Sequence, residues 1–251
     1  MEAQRIIITG GATRIGAAIA EKLSGHKAEI VIHFNRSLSK AIKLKKKLEK
    51  NGGKVYLVKG NLNKEEDIKK IIKSSKKFLK YFDCLINNAS MFENDKLENF
   101  SSDSWNKHLN INLKAPAILT KEFAKYIKGK NNNIINIIDQ RVFKLTPFFF
   151  SYTLSKAGLY TLTKTSAMSL APTIRVNGIA PGPTIKNKRQ SKIHFKKQFL
   201  ATPLRQQVNV NEISNAVDFF IKSSSVTGQV ISIDSGQSLN WQTPDIMRGK
   251  E

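Results

Sequence analysis

The chain has 251 residues, 40% of them hydrophobic and 24% charged, which is the composition of a soluble globular protein with a large core. No apolar run approaches the length of a membrane span, and the amino terminus enters a strand-like segment too soon for a signal peptide. The single cysteine, Cys84, excludes an intramolecular disulfide, and the four histidines show no metal-ligand spacing. We therefore expect a cytoplasmic protein with no membrane association and no metal.

The formal net charge of +23 is the one unusual bulk feature, and nucleic-acid binding is a fair hypothesis for it. The lysines, however, are scattered along helix-like segments such as "KAIKLKKKLEKNGGK", and the sequence carries no zinc finger or RNA-binding aromatic signature. Charge runs of this kind are mostly solvated helix faces. We favour that interpretation and expect no nucleic-acid partner.

Apolar runs alternate with longer amphipathic segments along the whole chain. The predicted strands are 5–10, 28–34, 54–60, 83–89, 133–139, 174–182 and 229–234. The predicted helices are 14–25, 37–51, 64–80, 102–128, 152–171 and 211–223. Continuous apolar strands are typical of a parallel sheet covered on both faces, so the pattern predicts an α/β, Rossmann-type doubly wound fold with about seven mostly parallel strands.

No proline-rich or glycine-serine linker divides the chain, which predicts a single domain over residues 1–251. The segment 184–207 is the least regular part. Loops of this length without their own secondary structure are often functional, so we expect a substrate loop or lid there.

A glycine-rich turn, "TGGATRIG", lies between the first strand and the first helix. A pyrophosphate can bind there against backbone N–H groups and the helix dipole. Gly10 permits the tight turn, and Gly16 permits close approach of helix and sheet. The pattern is not a full G-x-G-x-x-G, and a plain strand-to-helix turn is the alternative.

The second strand ends in "HFNRS" and lacks the acid that binds the ribose 2′-hydroxyl of NAD. Asn35, Arg36 and Ser37 stand there instead, and the glycine turn contributes Arg14. Guanidinium, amide and hydroxyl donors suit a 2′-phosphate, which favours NADPH as the cofactor.

Tyr152 and Lys156 are four residues apart at the start of a predicted helix, which places both on one helical face. An ammonium near a phenol stabilises the phenolate, so we expect Lys156 to lower the pKa of Tyr152 toward a range useful for proton transfer. The spacing by itself is common by chance.

In the order and spacing of these motifs the chain resembles the short-chain dehydrogenase/reductase family over nearly its whole length. The matching segments are "TGGATRIG", "INNAS", "LNINLKAP", the tyrosine–lysine pair and "RVNGIAPGPT". The resemblance implies Tyr152 as proton donor, Lys156 on the nicotinamide ribose and Asn112 in a water relay. The cofactor-binding residues it implies are Gly10, Thr13, Arg14, Ile15, Gly16, Asn35, Arg36, Ser37, Asn61, Leu62, Asn88, Ala89, Ser90, Tyr152, Lys156, Pro181, Gly182 and Thr184.

The sequence departs from the family pattern at three positions. Arg14 replaces a glycine of the turn, Asp139 replaces the serine thirteen residues before the tyrosine, and Asn61 stands where an aspartate commonly contacts adenine. The first two, with "HFNRS" and "NNASMF", resemble the pteridine reductase branch, which includes bacterial dihydromonapterin and dihydrofolate reductases. That likeness implies Ser90 and Phe92 as pterin contacts beside Arg14, Asp139 and Tyr152, with Phe92 stacking on the flat ring; a loop aromatic that caps the core is the alternative for Phe92.

Asp139 separates the possible reactions. A ketone reductase needs a neutral donor where negative charge develops, and an ionised carboxylate would repel that charge. A pterin presents N–H donors and needs a proton on a ring nitrogen, and a carboxylate can accept from those donors or relay a proton to Tyr152. We therefore expect an NADPH-dependent pterin or dihydrofolate reductase. The alternatives are a carbonyl reductase of the same fold and a non-catalytic nucleotide-binding protein. For Asp139 itself, the alternative is a residue that only caps a loop, or a chain that has lost activity.

The carboxyl-terminal tail carries Trp241 on a polar segment after the last strand. Such tails often lie at subunit contacts in the resembling family, which implies a homotetramer or a homodimer.

Overall fold

The computed structural model describes residues 4–25, 28–187 and 189–241. Residues 242–251 of the predicted tail lie outside the described residues. Seven strands form one sheet in the order β3-β2-β1-β4-β5-β6-β7, and all six neighbouring pairs are parallel. The strands are β1 (Arg5–Ile8), β2 (Glu29–Phe34), β3 (Lys54–Lys59), β4 (Cys84–Asn87), β5 (Asn132–Ile137), β6 (Ile174–Pro181) and β7 (Val230–Ile233). The predicted Rossmann-type sheet is confirmed.

Helices cover both faces of the sheet. They are α1 (Arg14–Ser24), α2 (Leu38–Lys50), α3 (Glu65–Leu79), α4 (Ser102–Leu109), α5 (Ala115–Phe123), α6 (Phe150–Leu170), α7 (Lys192–Leu200) and α8 (Val210–Lys222). Ile6 and Ile8 of β1 point into the apolar layer that contains α1, α2 and α8, and Ile7 points into the layer that contains α3 and α5. Alternate residues of one strand thus serve two cores, which explains the continuous apolar runs.

The predicted helix 102–128 is interrupted. α4 ends at Leu109, a π-helical turn follows at Asn110–Lys114, and α5 begins at Ala115. Pro116 has no N–H to donate to the carbonyl of Asn112, so the regular α-helical ladder cannot continue across this point. This turn carries Asn112 toward the carboxyl ends of the strands.

The segment 184–207 is more regular than predicted, because it contains α7. The hydroxyl of Ser191 accepts a hydrogen bond from the N–H of His194 and caps this helix. A serine three residues before that N–H was a helix-start signal that the sequence analysis did not use.

The strand order places the site. β1 lies between β2 and β4, so the connections leaving β1 and β4 diverge to opposite sides and open a crevice at their carboxyl ends. The glycine turn and the segment that begins at Asn88 border this crevice.

Candidate active site

The glycine turn is held tightly against the end of β4. Gly10 has a positive φ of 60°, and a Cβ placed on Gly16 would lie 2.5 Å from both the Gly10 oxygen and the Asn88 Nδ2 atom. Asn88 Nδ2 donates to the carbonyl oxygens of Thr9 (2.9 Å) and Gly10 (3.1 Å). Only glycine fits at both positions, so the turn keeps the bare backbone approach that a pyrophosphate requires.

His33 supports the same turn and was not predicted as a site residue. Its Nδ1 accepts from the N–H of Gly10 at 3.2 Å, and its Nε2 lies 3.1 Å from the Gly60 oxygen. Burial lowers the pKa of His33 to about 4, which keeps the ring neutral and Nδ1 free to accept. A histidine inside the apolar run "IVIHF" was the available signal.

Arg14, at the start of α1, reaches the 184–207 segment across the crevice. It has a φ of 56°, and its guanidinium donates to the carbonyl oxygens of Ile185 (2.7 Å) and Lys186 (2.9 Å). Arg36 is exposed at the end of β2. In this structure the hydrogen bonds of Arg14 go to the 184–207 segment, and its expected pairing with Arg36 around a phosphate stays a prediction.

The other predicted adenosine contacts follow the carboxyl ends of β2 and β3. Asn35 is exposed, and Ser37 precedes α2 without a side-chain cap bond. Asn61 accepts from the N–H of Asn63 at 3.0 Å, and Leu62 is buried in the core. Their contacts with a cofactor stay predictions.

Asp139, Tyr152 and Lys156 come together at the ends of β5 and α6. The Tyr152 hydroxyl donates to Asp139 Oδ2 at 2.7 Å, and Lys156 Nζ donates to the Ile137 oxygen at 2.8 Å. Burial first, and then the Asp139 charge, raise the pKa of Tyr152 well above its ordinary value. The expectation that Lys156 lowers this pKa is wrong, since burial and the carboxylate dominate. Burial also lowers the pKa of Lys156 to about 8.

Asn112 is close to this group, but its side chain is fully engaged. Oδ1 accepts from the Met91 N–H (2.8 Å) and the Ser90 hydroxyl (3.2 Å), and Nδ2 donates to the Met91 oxygen (3.0 Å) and Ser155 Oγ (3.0 Å). These four bonds use its whole hydrogen-bonding capacity. The side chain therefore positions Ser90 and Met91, and the expected support of a water relay by Asn112 stays a prediction.

Phe92 lies beside the tyrosine. Its ring stacks on Phe149 with centroids 4.5 Å apart and meets Tyr152 edge-to-face at 4.6 Å. Because Phe149 covers one face of the ring, a flat substrate can stack only on the other. Arg189 donates to the Phe92 carbonyl oxygen and so connects this residue to the 184–207 segment.

These residues surround a cleft of about 820 Å³. The predicted residues that line it are Gly10, Thr13, Arg14, Ile15, Asn88, Ala89, Ser90, Phe92, Asp139, Tyr152, Lys156, Pro181, Gly182 and Thr184. The predicted residues that do not line it are Gly16, Asn35, Arg36, Ser37, Asn61, Leu62 and Asn112.

The sequence profile of the short chain dehydrogenase family matches residues 4–197. The chain belongs to this family. FolM alternative dihydrofolate reductase 1 from Brucella canis, solved in complex with NADP, is 41% identical, with 96% of each chain covered and a TM-score of 0.92. The Brucella suis protein of the same name, also with NADP, is 40% identical over 96% of this chain and 98% of that one, with a TM-score of 0.93.

More distant relatives carry other activities in their names. Glucose 1-dehydrogenase 2 of Bacillus subtilis is 29% identical over 93% of this chain and 94% of its own length. The 3-oxoacyl-[acyl-carrier-protein] reductase of Synechocystis is 26% identical over 94% of this chain and 97% of its own length.

Two glutamines in the cleft of this short-chain dehydrogenase were missed by the sequence analysis. Gln140 and Gln237 line the cleft, and the side-chain oxygen of each is buried without a hydrogen-bond partner. Buried acceptors of this kind are rare unless something supplies a donor. Because each of these oxygens is shielded from solvent, a ligand in the cleft would meet other atoms of the two side chains, and no sequence motif marks them.

The 184–207 segment of this short-chain dehydrogenase forms one wall of the cleft. Thr184, Ile185, Asn187, Arg189 and residues of α7 line it. Among the described residues, no group of three or more His, Cys, Asp or Glu side chains could hold a metal ion, and no helix is long and apolar enough to cross a membrane.

Proposed function

We propose that this protein is an NADPH-dependent pteridine reductase, which transfers hydride to a C=N bond of a dihydropterin or dihydrofolate. The two neighbours at 40–41% identity are named alternative dihydrofolate reductases and were solved with NADP. The observation that carries the proposal is the 2.7 Å hydrogen bond from the Tyr152 hydroxyl to Asp139. It places a carboxylate where a ketone reductase of this fold has a neutral donor.

The residues of the crevice fit a dinucleotide. The Gly10–Gly16 turn leaves backbone bare at the start of α1, where a pyrophosphate can bind. Arg36, Asn35 and Ser37 would hold the 2′-phosphate, and Lys156 the nicotinamide ribose. When bound, NADPH supplies the hydride.

Tyr152 supplies the proton. Its raised pKa keeps the phenol neutral at physiological pH, so that the hydroxyl is an acid and not a base. After transfer, a proton taken up from solvent by the half-buried Asp139 can pass to the phenolate along the same hydrogen bond. The remaining lone pairs of the carboxylate can accept from the 2-aminopyrimidine edge of a pterin.

Ser90, Phe92 and Arg14 would complete the pterin pocket. Ser90 and Phe92 belong to the segment fixed by Asn112, and Arg14 holds Ile185 and Lys186 at the opposite wall. We propose that the 184–207 segment is the substrate loop, since it closes the cleft on the side away from the sheet. A pterin would lie between these walls.

The test is NADPH oxidation with dihydromonapterin, dihydrobiopterin and dihydrofolate, set beside a panel of ketones under anaerobic conditions. Turnover with pterins and none with ketones is expected. Ketone turnover alone would favour the carbonyl reductase suggested by the names of the relatives at 26–29% identity. NADPH binding without any turnover would favour a non-catalytic role.

The Asp139→Ser variant tests the role of the hydrogen bond between Tyr152 and Asp139. It removes the carboxylate and restores the neutral donor of a ketone reductase, so we expect pterin turnover to fall by about 100-fold while NADPH affinity stays within about twofold. Equal loss of both would show that Asp139 is structural and would contradict the proposed role.

We also propose a cytoplasmic homotetramer or homodimer. Large apolar side chains are exposed on α6 (Leu154 and Met168) and on α8 and β7 (Phe219 and Ile231), which suits burial between subunits. Cys84 is a free buried thiol, which suits a reducing compartment. Light scattering coupled to size exclusion tests the oligomer, since a monomer mass would refute it.

A further inference from the structure

The helix that carries Tyr152 and Lys156 is capped by another part of the chain. Phe149 precedes α6 in a left-handed conformation and supplies no side-chain cap. The N–H groups of Phe149, Phe150 and Ser151 instead donate to Asn94 Oδ1 (3.1 Å), the Asp95 carbonyl (3.2 Å) and Asp95 Oδ1 (3.1 Å). Three amide groups at the start of α6 are thus satisfied by two consecutive residues that lie outside the helix.

Asp95 is 6% exposed and anchors a buried chain of hydrogen bonds. The hydroxyl of Ser151 donates to Asp95 Oδ2 and lies 2.7 Å from Nδ1 of His108. The Glu93 N–H donates to His108 Nε2 at 3.1 Å, and burial lowers the pKa of His108, so the neutral ring carries its proton on Nδ1. Nδ1 then donates its hydrogen bond to the Ser151 oxygen, so the Ser151 hydroxyl must donate its own hydrogen bond to the Asp95 carboxylate.

Two side-chain pairs connect the helical segment 102–114 to α6, and each pair is called a rung below: His108 with Ser151, and Asn112 with Ser155. His108 and Asn112 lie one turn apart, and so do their partners Ser151 and Ser155. Each rung also binds the backbone between β4 and α4, through Glu93 in one case and Met91 in the other. The segment Ser90–Asp95 is therefore attached at several points to the catalytic helix.

The active site lies directly between these attachments. Phe92 is three residues before Asp95, Tyr152 follows Ser151, and the two rings meet at 4.6 Å. A shift of Asp95 would move the substrate-facing ring and the proton donor relative to each other. Rate is sensitive to such shifts, because a displacement of about 1 Å can cost about 100-fold.

We propose that Asp95 is a positioning residue, which, as an ionised acceptor for Ser151, sets the geometry of Phe92 against Tyr152. The expected changes in kcat and KM rest on the proposed function, whereas the expected changes in hydrogen exchange do not. The same carboxylate would be a plain helix cap if its effect ended with the stability of α6.

The experiment compares Asp95→Ala and Asp95→Asn with Asn209→Ala, a matched control. Asn209 caps α8 by accepting from the N–H of Asn211 at 2.9 Å, so its loss removes a cap without touching the cleft. NADPH dissociation constants, pterin KM and kcat per NADPH-binding site, and hydrogen exchange of peptides covering 90–95 and 149–156 are measured for each.

For Asp95→Ala we expect kcat/KM to fall by about 10- to 100-fold, with kcat lowered and KM raised, while NADPH affinity stays within about twofold. Exchange should increase in both peptides. The control should keep wild-type kcat and KM and should show unchanged exchange in both peptides. A simple folding defect would lower the number of NADPH-binding sites and leave kcat and KM per site unchanged, which would overturn the proposal.

The Asp95→Asn variant distinguishes two roles of Asp95: capping the start of α6, and acting as a hydrogen-bond acceptor at both carboxylate oxygens. Asparagine caps helices about as well as aspartate, but its amide would turn a donor toward a hydroxyl that already receives one from His108. We expect partial recovery of stability without recovery of kcat; full recovery of kcat would overturn the assigned bonding. If wild-type protein reduced no pterin, the proposed function would fail, and hydrogen exchange alone would decide this inference: unchanged exchange in both peptides of Asp95→Ala would refute it.

Discussion

Acid should destabilise this protein through His33, because the ring is neutral in the folded state and its Nδ1 holds the glycine turn. An unfolded histidine binds a proton near pH 6.5, whereas burial lowers the pKa of His33 to about 4. The contribution of this residue to stability is therefore complete above about pH 6.5 and is lost as the pH falls toward 4. The linkage amounts to roughly 2 kcal/mol at pH 5 and roughly 3 kcal/mol well below pH 4.

The perturbation is His33→Gln, which offers an amide oxygen toward Gly10 and an amide N–H toward Gly60 but cannot titrate. Urea unfolding at pH 7 and pH 5 gives the loss of free energy of unfolding for each protein. We expect the wild type to lose about 2 kcal/mol more than the variant over this interval, because the other titrating groups cancel in the difference.

Two results would refute this reasoning. One is an equal loss of stability in wild type and variant between pH 7 and pH 5. The other is a ring titration of His33 above pH 6 by NMR in the folded protein, which would show that burial does not hold the imidazole neutral. The NMR result remains informative even if the variant folds poorly.

Three further substitutions test the site. Tyr152→Phe removes the proposed acid and should lower kcat by about 100-fold or more with NADPH affinity within about twofold; retained turnover in the optical assay would assign the proton to another group. Arg36→Ala should weaken NADPH by about tenfold or more and leave NADH unchanged in binding titrations, and an unchanged preference would contradict the phosphate assignment. Gly16→Ala places a Cβ 2.5 Å from the Gly10 oxygen, so this variant should lose about 1–3 kcal/mol of stability in thermal melts and should bind NADPH more weakly in titrations. The control Gly25→Ala, whose Cβ would have its nearest contact at 3.7 Å, should change neither stability nor NADPH affinity.

Local pattern predicted the elements and most of the lining of the cleft. The seven strands and the six helices were readable because apolar periodicity and glycine turns act over short stretches of chain. The break at Asn110–Lys114 was not predicted, although Pro116, in the middle of the predicted helix 102–128, is a residue that interrupts helices. The helix α7 was missed because its apolar residues show no clear helical face.

The hydrogen-bond partners of the site side chains could not be predicted from local pattern. The Arg14 guanidinium binds the carbonyls of Ile185 and Lys186, more than 170 residues further along the chain, which no local pattern indicated; its contact with a phosphate beside Arg36 stays a prediction. The amide of Asn112 binds Met91, Ser90 and Ser155, which the sequence did not indicate either, and its support of a water relay stays a prediction. Each of these outcomes depends on neighbours that are distant in sequence.

By itself, the sequence determined the parallel sheet, the glycine turn at its first crossover and the tyrosine–lysine pair beside an aspartate. These features depend on residue type and spacing within one or two elements. Only the tertiary structure decided that burial raises the pKa of Tyr152, that His33 holds the glycine turn, and that Asp95 caps the catalytic helix. The physical reason is that burial and hydrogen bonding are set by where the folded chain brings distant residues together.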